Sequence, residues 1–270
     1  MKTASTEGAS APFIELRDAV VRRAGRDILS VDRLVLREGE SMALLGPNGS
    51  GKSTLVSLIT REAFPLHRDE PPVLFRGKER ATLEEVRACL GIVSSTMQSQ
   101  ITVHLPAVEV VVGGLFGALG VPKRFKVTPE QHQRAFDVME ELGIGNLADR
   151  DIMTLSTGQA RRVLVARALV HNPDVLVFDE PCTGLDPEGM YYVRRTMRAL
   201  AQSGRAIVLV THYPEDIIPE IDRLVLIKEG RVFDDGTKRA MLTGERMSAL
   251  FDVPLEVAES DGYYTLMGRY

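Results

Sequence analysis

The sequence predicts an α/β fold in which a mostly parallel sheet carries an N-terminal antiparallel β layer and an inserted helical subdomain. The chain has 270 residues, 44% of them hydrophobic, which is enough to build one large domain or two small ones. Segments rich in Val, Ile and Leu alternate with helical segments, a pattern typical of a parallel sheet covered on both faces. Residues 13–45 hold short β-favouring segments divided by turn residues, and these predict the antiparallel layer.

The first half of the chain is predicted to alternate between strands and helices. In order, the predicted elements are strands 13–21, 27–36 and 41–46, helices 54–63 and 82–91, and a strand 91–95. The second helix opens with Thr82 and Glu85, the spacing of a capping box in which each side chain bonds the other residue's backbone N–H. We therefore expect this helix to begin at Thr82.

The most apolar window, residues 108–121, is interrupted by Gly113, Gly114 and Gly117. It is shorter than the about 20 residues that a helix needs to cross a bilayer. We therefore expect a buried or partner-facing helix. If the protein works at a membrane, another subunit has to supply the spans.

The second half repeats the alternation and contains a strong helix start. Thr128 is expected to cap a helix that has Pro129 in its first turn, Gln131 at its third position and Gly143 as its stop. After it we predict a helix 159–169, a strand 174–180, a helix 190–204, a strand 206–212 and a hairpin 223–236 that turns at Glu229 and Gly230. The predicted domain spans residues 13–240, with a helical subdomain at about 100–165 and a C-terminal extension, residues 241–270, packed on it.

Composition and charge exclude several classes of protein. The net charge of −4 argues against a nucleic-acid partner, because coating nucleic acid requires a basic face. Cys89 and Cys182 have no metal-ligand spacing and are too few for a disulfide scaffold, which favours a reducing cytoplasmic setting. Residues 1–12 lack the apolar region of a signal peptide and are predicted to form a disordered leader.

The stretch "GPNGSGKST" predicts a phosphate-binding loop and hence a P-loop NTPase core. It matches the pattern G-x-x-x-x-G-K-[ST] and lies between a predicted strand and a predicted helix, as the mechanism requires. Lys52 is expected to reach the β- and γ-phosphates of a nucleotide, and the Ser53 hydroxyl to ligate Mg²⁺. The predicted nucleotide-binding residues are Gly46, Pro47, Asn48, Gly49, Ser50, Gly51, Lys52, Ser53 and Thr54.

Two acidic residues and a histidine follow apolar strands and are candidates for the chemistry. Asp179 is placed to hold Mg²⁺, and Glu180 to polarise the water that attacks the γ-phosphate. His212 ends another strand and is a candidate to contact the γ-phosphate. Taken alone, such residues are more often a strand end meeting solvent and a structural hydrogen-bonding histidine. The phosphate loop favours the functional interpretation.

A second glycine-containing helix start, "LSTGQ", lies far from the phosphate loop. Ser156 and the backbone around Gly158 could simply cap the helix that follows. However, the ordered set of phosphate loop, "LSTGQ", "VLVFDEP", "TGLD" and "LVTH" resembles the ATPase subunit of ABC (ATP-binding cassette) transporters. The resemblance covers residues 13 to about 236.

The resemblance implies a dimer whose two sites are shared between subunits. In that family two ATPase subunits pack head to tail, and ATP with Mg²⁺ lies between the phosphate loop of one and the signature turn of the other. Here Ser156, Thr157, Gly158 and Gln159 would form the signature acting in trans, and Asp186 of the D-loop would reach across the interface. The implied partners are a second ATPase subunit, expected to be another copy of this chain, transmembrane permease subunits and a substrate-binding protein.

Three positions depart from the family pattern. Thr157 replaces the first of two adjacent glycines, so a β-branched side chain adds bulk near the γ-phosphate. No aromatic residue precedes the phosphate loop to stack on adenine, and Arg22 or Arg23 lies near the expected place, with Arg23 the preferred candidate. The expected Mg²⁺-contacting glutamine aligns nearer Ser95, which leaves Gln98, or else Gln100, for that role.

The resemblance also indicates a function. The chain is expected to be an ATP-hydrolysing subunit on the inner face of the cell membrane. Its loops look most similar to ATPases that serve import of iron-siderophores, cobalamin or molybdate, so a metal chelate or oxyanion is the expected cargo. Two alternatives stay open: a soluble ABC-type ATPase that acts on DNA or ribosomes, and a regulatory module that binds nucleotide but hydrolyses it weakly.

Overall fold

In a computed structural model, the structure describes residues 10–268, and within that range nine strands form one sheet and two form a separate hairpin. The strands are β1 Pro12–Arg23, β2 Arg26–Arg37, β3 Met42–Leu45, β4 Val73–Phe75, β5 Leu90–Ser94, β6 Val175–Asp179, β7 Ala206–Thr211, β8 Arg223–Lys228, β9 Arg231–Thr237, β10 Leu255–Ser260 and β11 Tyr263–Gly268. The predicted leader lies largely outside the described residues.

The helices occupy the segments between the strands. They are α1 Lys52–Ile59, α2 Leu83–Cys89, α3 Met97–Gln100, α4 Ala107–Gly113, α5 Pro129–Glu141, α6 Thr157–Leu169, α7 Pro187–Gln202, α8 Lys238–Met241 and α9 Gly244–Phe251. Helix α1 is shorter than the predicted 54–63, because the chain leaves the helical region at Arg61, whose φ is +60°. The predicted capping box of α2 is formed, and Thr128, the predicted N-cap of α5, also forms a capping box with Gln131.

The sheet has the strand order β4-β1-β2-β9-β8-β3-β7-β6-β5. Strands β8, β3, β7, β6 and β5 run parallel to one another, whereas β1 pairs antiparallel with β2 and β4. The prediction of a mostly parallel sheet with an N-terminal antiparallel layer is therefore confirmed. Every residue of β7 is buried, because helices cover both faces of the sheet at its centre.

Alternating side chains of the parallel strands feed two apolar cores. On β6, Leu176 and Phe178 pack with the helical segment on one face, while Val175 and Val177 pack with α1 and α2 on the other. A strand buried on both faces is stabilised by apolar residues at every position, which explains the unbroken apolar runs. Both cores hold the carboxyl ends of the strands at one edge of the sheet.

Helices α3 to α6 lie between β5 and β6 in the chain and pack on one core. The window predicted to form a buried or partner-facing helix contains α4, whose valines are buried. The glycine at position 114 permits a close crossing, since a Cβ there would lie 2.2 Å from the carbonyl oxygen of Arg167. Within residues 10–268, no helix is both long enough and apolar enough to cross a bilayer.

The C-terminal segment folds back onto the loop that follows β7. The backbone N–H of Leu266 donates to Oε1 of Glu215 at 3.2 Å, and Nζ of Lys238 donates to the carbonyl oxygen of Gly262 at 3.2 Å. Strand β4, helix α9 and the hairpin β10–β11 were not predicted from the sequence. The division of the chain at residues 13, 240 and 241 stays a prediction.

Candidate functional site

The phosphate loop is shaped by glycines where a side chain has no room or the wrong backbone preference. A Cβ on Gly46 would lie 2.0 Å from the carbonyl oxygen of Ile227, so only glycine fits beside β8. Gly49 and Gly51 have φ of +75° and +104°, which L side chains rarely adopt. Gly51 also caps α1 without any side-chain hydrogen bond, so the first N–H groups of the helix face the loop.

Lys52 begins α1 and is almost fully buried, with 4% of its surface exposed. Its Nζ donates to the carbonyl oxygens of Gly46 and Pro47 at 2.7 and 2.9 Å. Burial lowers the pKa of Lys52, and the nearby carboxylates of Glu180 and Asp179 oppose that shift. The loop thus folds around a cation at its centre, where phosphate oxygens could replace the backbone carbonyls as acceptors.

Asp179 ends β6 on the same edge of the sheet as the phosphate loop at the end of β3, and β7 lies between the two strands. Its Oδ1 is buried and has no hydrogen-bond partner among the described residues. Burial, reinforced by the charge of Glu180, raises the pKa of Asp179 to about 6, and Lys52 acts in the opposite direction. A buried, unpaired carboxylate oxygen is unfavourable alone and fits a cation ligand.

Glu180 and His212 are in direct contact at the carboxyl ends of their strands. Nδ1 of His212 lies 3.2 Å from Oε1 of Glu180, and the hydroxyl of Thr183 donates to Oε2 at 3.2 Å. Glu180 has a φ of +49°, and its backbone N–H donates to the carbonyl oxygen of Val210 on β7. The side chain therefore leaves the strand direction of Asp179, so the two acids can have separate roles.

The "LSTGQ" turn is a complete capping box at the start of α6. The Ser156 hydroxyl accepts from the Gln159 N–H at 3.2 Å, and Oε1 of Gln159 accepts from the Ser156 N–H at 3.1 Å. Thr157 is the first helical residue, so the backbone here does not require glycine. Both Ser156 and Thr157 are exposed, which leaves this helix start open on the surface.

The signature turn and the D-loop are neighbours on the surface. Asp186 caps α7, with Oδ1 accepting from the backbone N–H of Gly189 at 2.8 Å. A Cβ on Gly158 would lie 3.2 Å from Cα of Gly189, so the first turns of α6 and α7 nearly touch. The two motifs assigned to contacts in trans therefore form one continuous surface.

Gln98 and Arg23, the candidates for contacts with Mg²⁺ and adenine, lie in different surroundings. Gln98 lies on the short helix α3, beyond the end of β5, while the N–H of Ser95 donates directly to the carbonyl oxygen of Asp179 at 3.1 Å. Arg22 is paired with Asp27, whereas Arg23 is exposed beside the turn between β1 and β2. The roles given to Gln98 and Arg23 stay predictions.

Sequence reasoning missed one buried side chain that contacts the site. Arg161 on α6 is 2% exposed, and its Nη1 donates to the carbonyl oxygens of Pro181 and Glu180 at 2.8 and 3.3 Å. It shares the helix face of Leu164, which is also buried. A charged residue in an apolar stripe was the available signal.

A phosphate loop at the end of β3, paired with an acidic end of β6 and a histidine after β7, is the arrangement of a P-loop ATPase. A profile of the family described as "ABC transporter" matches residues 29–183 of the 270. The chain belongs to this family and is an ATP-binding subunit that couples ATP hydrolysis to transport.

Relatives of similar length support this assignment. The ABC transporter ATP-binding protein YlmA of Bacillus subtilis (strain 168) is 34% identical over 250 residues, covering 91% of this chain and 93% of YlmA. The L-cystine transport system ATP-binding protein TcyN of Escherichia coli (strain K12) is 30% identical over 239 residues, covering 84% and 91%. The Nod factor export ATP-binding protein I of Burkholderia orbicola (strain AU 1054) is 31% identical over 235 residues, covering 86% and 73%.

Solved structures share the fold over nearly the whole chain. An inward-facing ABC transporter described as of metal-chelate type gives a TM-score of 0.78 at 23% identity, covering 96% of this chain and 98% of that chain. The CbiO1 protein of Clostridium perfringens, part of the transporter complex CbiONQ, gives 0.71 at 26%, covering 89% and 94%. A dimeric ATP-binding cassette in a post-hydrolysis state, bound to ADP and Pi, gives 0.66 at 25%, covering 83% and 98%.

Proposed function

We propose that this ATPase works as a dimer in which Lys52, Ser53, Asp179, Glu180 and His212 of one subunit act on a nucleotide that the partner's signature turn also contacts. The observation that carries the proposal is the contact between Glu180 and His212. This contact lies at the carboxyl ends of the parallel strands, where the phosphate loop also lies. A nucleotide on that loop would present its γ-phosphate to this edge.

Mg²⁺ fits the residues present. Oδ1 of Asp179 is buried and has no hydrogen-bond partner within residues 10–268, and the rise in the pKa of Asp179 reflects the cost of an ionised carboxylate there. Within residues 10–268, no cluster of three His, Cys, Asp or Glu side chains could hold a metal, so phosphate oxygens would have to complete the ligand set with Asp179 and Ser53. When bound, the ion would neutralise charge on the phosphates.

Glu180 is proposed to orient the attacking water and to accept its proton. A carboxylate oxygen can only accept, so Nδ1 of His212 is assigned as the donor to Oε1, and the other ring nitrogen points away from Glu180. That nitrogen would donate to the γ-phosphate when it also carries a proton. Thr183 holds the second carboxylate oxygen. Both partners restrict the carboxylate to one orientation, which is what a general base needs.

The contacts in trans are proposed for Ser156, Thr157, Gly158 and Gln159, with Asp186 beside them. What supports this role is exposure together with proximity, because the start of α6 is open on the surface and lies against the start of α7. A helix N-terminus attracts a phosphate group. Since the chain has a second such start far from its own loop, the ligand of that start is proposed to be the partner's nucleotide.

The test of this proposal uses the Glu180→Gln variant. Steady-state phosphate release should fall by about 100-fold or more, the usual range for loss of a general base. With ATP, the same variant should elute from size-exclusion chromatography as a dimer, and adding Ser156→Arg should return it to a monomer. A dimer that persists in the double variant would contradict the role in trans. Release in Glu180→Gln equal to that of wild type would contradict the role of Glu180.

The transport context is proposed to be import, with the chain bound to permease subunits on the inner face of the cell membrane and a substrate-binding protein outside. CbiO1, at 26% identity, belongs to a complex with further components, which supports a permease partner. Relatives named for L-cystine transport and Nod factor export have similar identity, so they do not distinguish cargoes. Co-purification with a candidate permease, followed by stimulation of ATPase activity by a metal chelate, molybdate or cystine, tests the cargo.

A further inference from the structure

A buried arginine joins the signature helix to the backbone of Glu180. Arg161 lies on α6, one turn after Ser156, and Nη1 donates to the carbonyl oxygens of Pro181 at 2.8 Å and Glu180 at 3.3 Å. Among the described residues, Arg161 has the largest side chain that is fully buried. The contact spans 19 to 20 positions in sequence, from Arg161 on the helix that follows the signature turn to the residues after β6.

Apolar packing alone does not explain why an arginine occupies this buried position. Burial lowers the pKa of Arg161, and its Nε is buried without a hydrogen-bond partner among the described residues. Its acceptors within residues 10–268 are backbone carbonyls, so no carboxylate of that range is in hydrogen-bond contact to offset the desolvation of the guanidinium. A methionine would fill the same apolar face at lower cost. Burying the guanidinium therefore costs free energy that packing does not explain. What the guanidinium provides is a pair of hydrogen bonds to the backbone of Glu180 and Pro181.

Those hydrogen bonds fix a backbone that is in an unusual conformation. Glu180 has a φ of +49°, a region that L residues other than Asn and Asp seldom occupy. Its N–H is held by the carbonyl oxygen of Val210, and its own carbonyl oxygen is held by Arg161. With both backbone groups anchored, the carboxylate is directed to His212.

We infer that Arg161 is a positioning residue that holds Glu180 in the orientation needed for hydrolysis and links that orientation to the signature turn of the same chain. The inference rests on the role proposed for Glu180. Because α6 is one rigid helix, a shift of Ser156 and Gly158 against the partner's nucleotide moves Arg161 with them. Each subunit's acid would then respond to the site in which its own signature turn takes part.

The experiment compares Arg161→Met with Arg167→Met. Arg167 is a matched control, since it lies on the same helix, is 9% exposed and donates through Nε to the carbonyl oxygen of Ala118 at 2.8 Å, far in sequence from Glu180. Both variants lose a buried guanidinium that bonds the backbone, so the melting temperature should change by a similar amount in the two variants. Arg161→Met should lower kcat by about 10- to 100-fold, the range for a misplaced reacting group, with KM for ATP within about twofold. Arg167→Met should keep the wild-type kcat.

A double-mutant cycle shows whether Arg161 acts through Glu180. If it does, adding Arg161→Met to Glu180→Gln should not slow phosphate release further, because the acid it positions is already absent. A multiplicative loss, or a kcat for Arg161→Met equal to that of Arg167→Met, would overturn the inference.

Two further measurements keep the outcomes separable. A wild-type rate in Glu180→Gln would reject the proposed function itself, whereas a slow Glu180→Gln with a fast Arg161→Met would reject only the positioning role. Arg161→Lys retains a charge on a stem one atom shorter and should recover part of the rate. Should Arg161→Met fail to fold, the same comparison is made between Arg161→Lys and Arg167→Lys, and a wild-type kcat in Arg161→Lys overturns the inference.

Discussion

Two helices of this molecule begin at glycine-containing turns, and their N-terminal ends are built in opposite ways. Helix α1 starts after Gly51, which is in the left-handed conformation and provides no side-chain cap, and its first residue is the buried Lys52. Helix α6 starts after Ser156, whose hydroxyl and partner Gln159 complete a capping box on the surface. One helix end is thus left for a ligand and lined by a cation, while the other is satisfied by its own side chains.

This difference indicates that the two helix ends would bind phosphate through different groups. The first backbone N–H groups of α1 can bind phosphate without displacing a side-chain cap, because Gly51 provides none. At the start of α6, the Ser156 hydroxyl already accepts from the Gln159 N–H, so a phosphate would receive hydrogen bonds from the hydroxyl proton and the remaining N–H groups. In the proposed dimer, the first end would bind the nucleotide of its own subunit, and the second would add contacts to the partner's nucleotide.

The largest effect is expected from Lys52→Met, which removes the cation from the first end. ATP hydrolysis should fall by at least about 100-fold, because a charged group aimed at the transferred phosphate contributes on that order. Mg²⁺ with ATP should no longer raise the melting temperature, since ligand stabilisation depends on affinity. The measurement is a thermal melt with and without nucleotide, together with phosphate release.

Lys238→Met is the control for this prediction, because Lys238 is the other buried lysine in the described part of the chain. It is 6% exposed, and its Nζ donates to the carbonyl oxygens of Ile218, Pro219 and Gly262. Each substitution leaves buried carbonyl groups unpaired and should cost about 1–3 kcal/mol of unfolding free energy. Only Lys52→Met should lose the nucleotide-dependent shift, and an equal loss in both variants would mean that general destabilisation is the cause.

An intermediate effect is expected at Ser156, where the cap and the contact in trans can be separated. Ser156→Asp and Ser156→Asn both retain a good N-cap, so both should change the unfolding free energy by less than about 0.5 kcal/mol. The aspartate places a negative charge where the partner's γ-phosphate is proposed to bind, and like charges across an interface cost several kcal/mol. Phosphate release should therefore fall by about tenfold or more in Ser156→Asp and much less in Ser156→Asn. Equal rates of phosphate release in the two variants would contradict the contact in trans and leave helix capping as the role of Ser156.

Local features of the fold could be predicted from the sequence, and contacts between distant segments could not. The capping boxes of Thr82 and Thr128 depend on residues three positions apart, so spacing alone identifies them. The phosphate loop is also local, since its glycines and Lys52 lie within a few positions of each other. Strand β4 is three residues long and exists because β1 pairs with it, so its own sequence carries no periodicity.

Arg161 shows the same limit within the site. Its position in the apolar stripe of α6 indicates burial, but its partners lie beyond the end of β6, and no spacing rule joins the two segments. The sequence placed Glu180 and His212 each at the carboxyl end of an apolar strand, and the carboxyl ends of parallel strands share one edge of the sheet, which is where the two residues are in contact. Topology therefore predicts contacts at that edge, whereas contacts through the layer of helices require the packed structure.

The smallest effect is expected at Thr157, the first residue of α6. Because its backbone is already helical, Thr157→Gly gains no conformation that the turn needs and should lower the unfolding free energy by about 0.5 kcal/mol. Removing the β-branched side chain takes bulk away from the proposed nucleotide contact, which should lower KM for ATP by about two- to threefold, or roughly 0.5 kcal/mol. Thr157→Ser removes only the methyl group, so its KM for ATP should lie between those of the wild type and Thr157→Gly. If KM is unchanged in both variants, the exposed helix start tolerates the side chain, and the difference between the two helix ends rests on the capping box and the buried lysine.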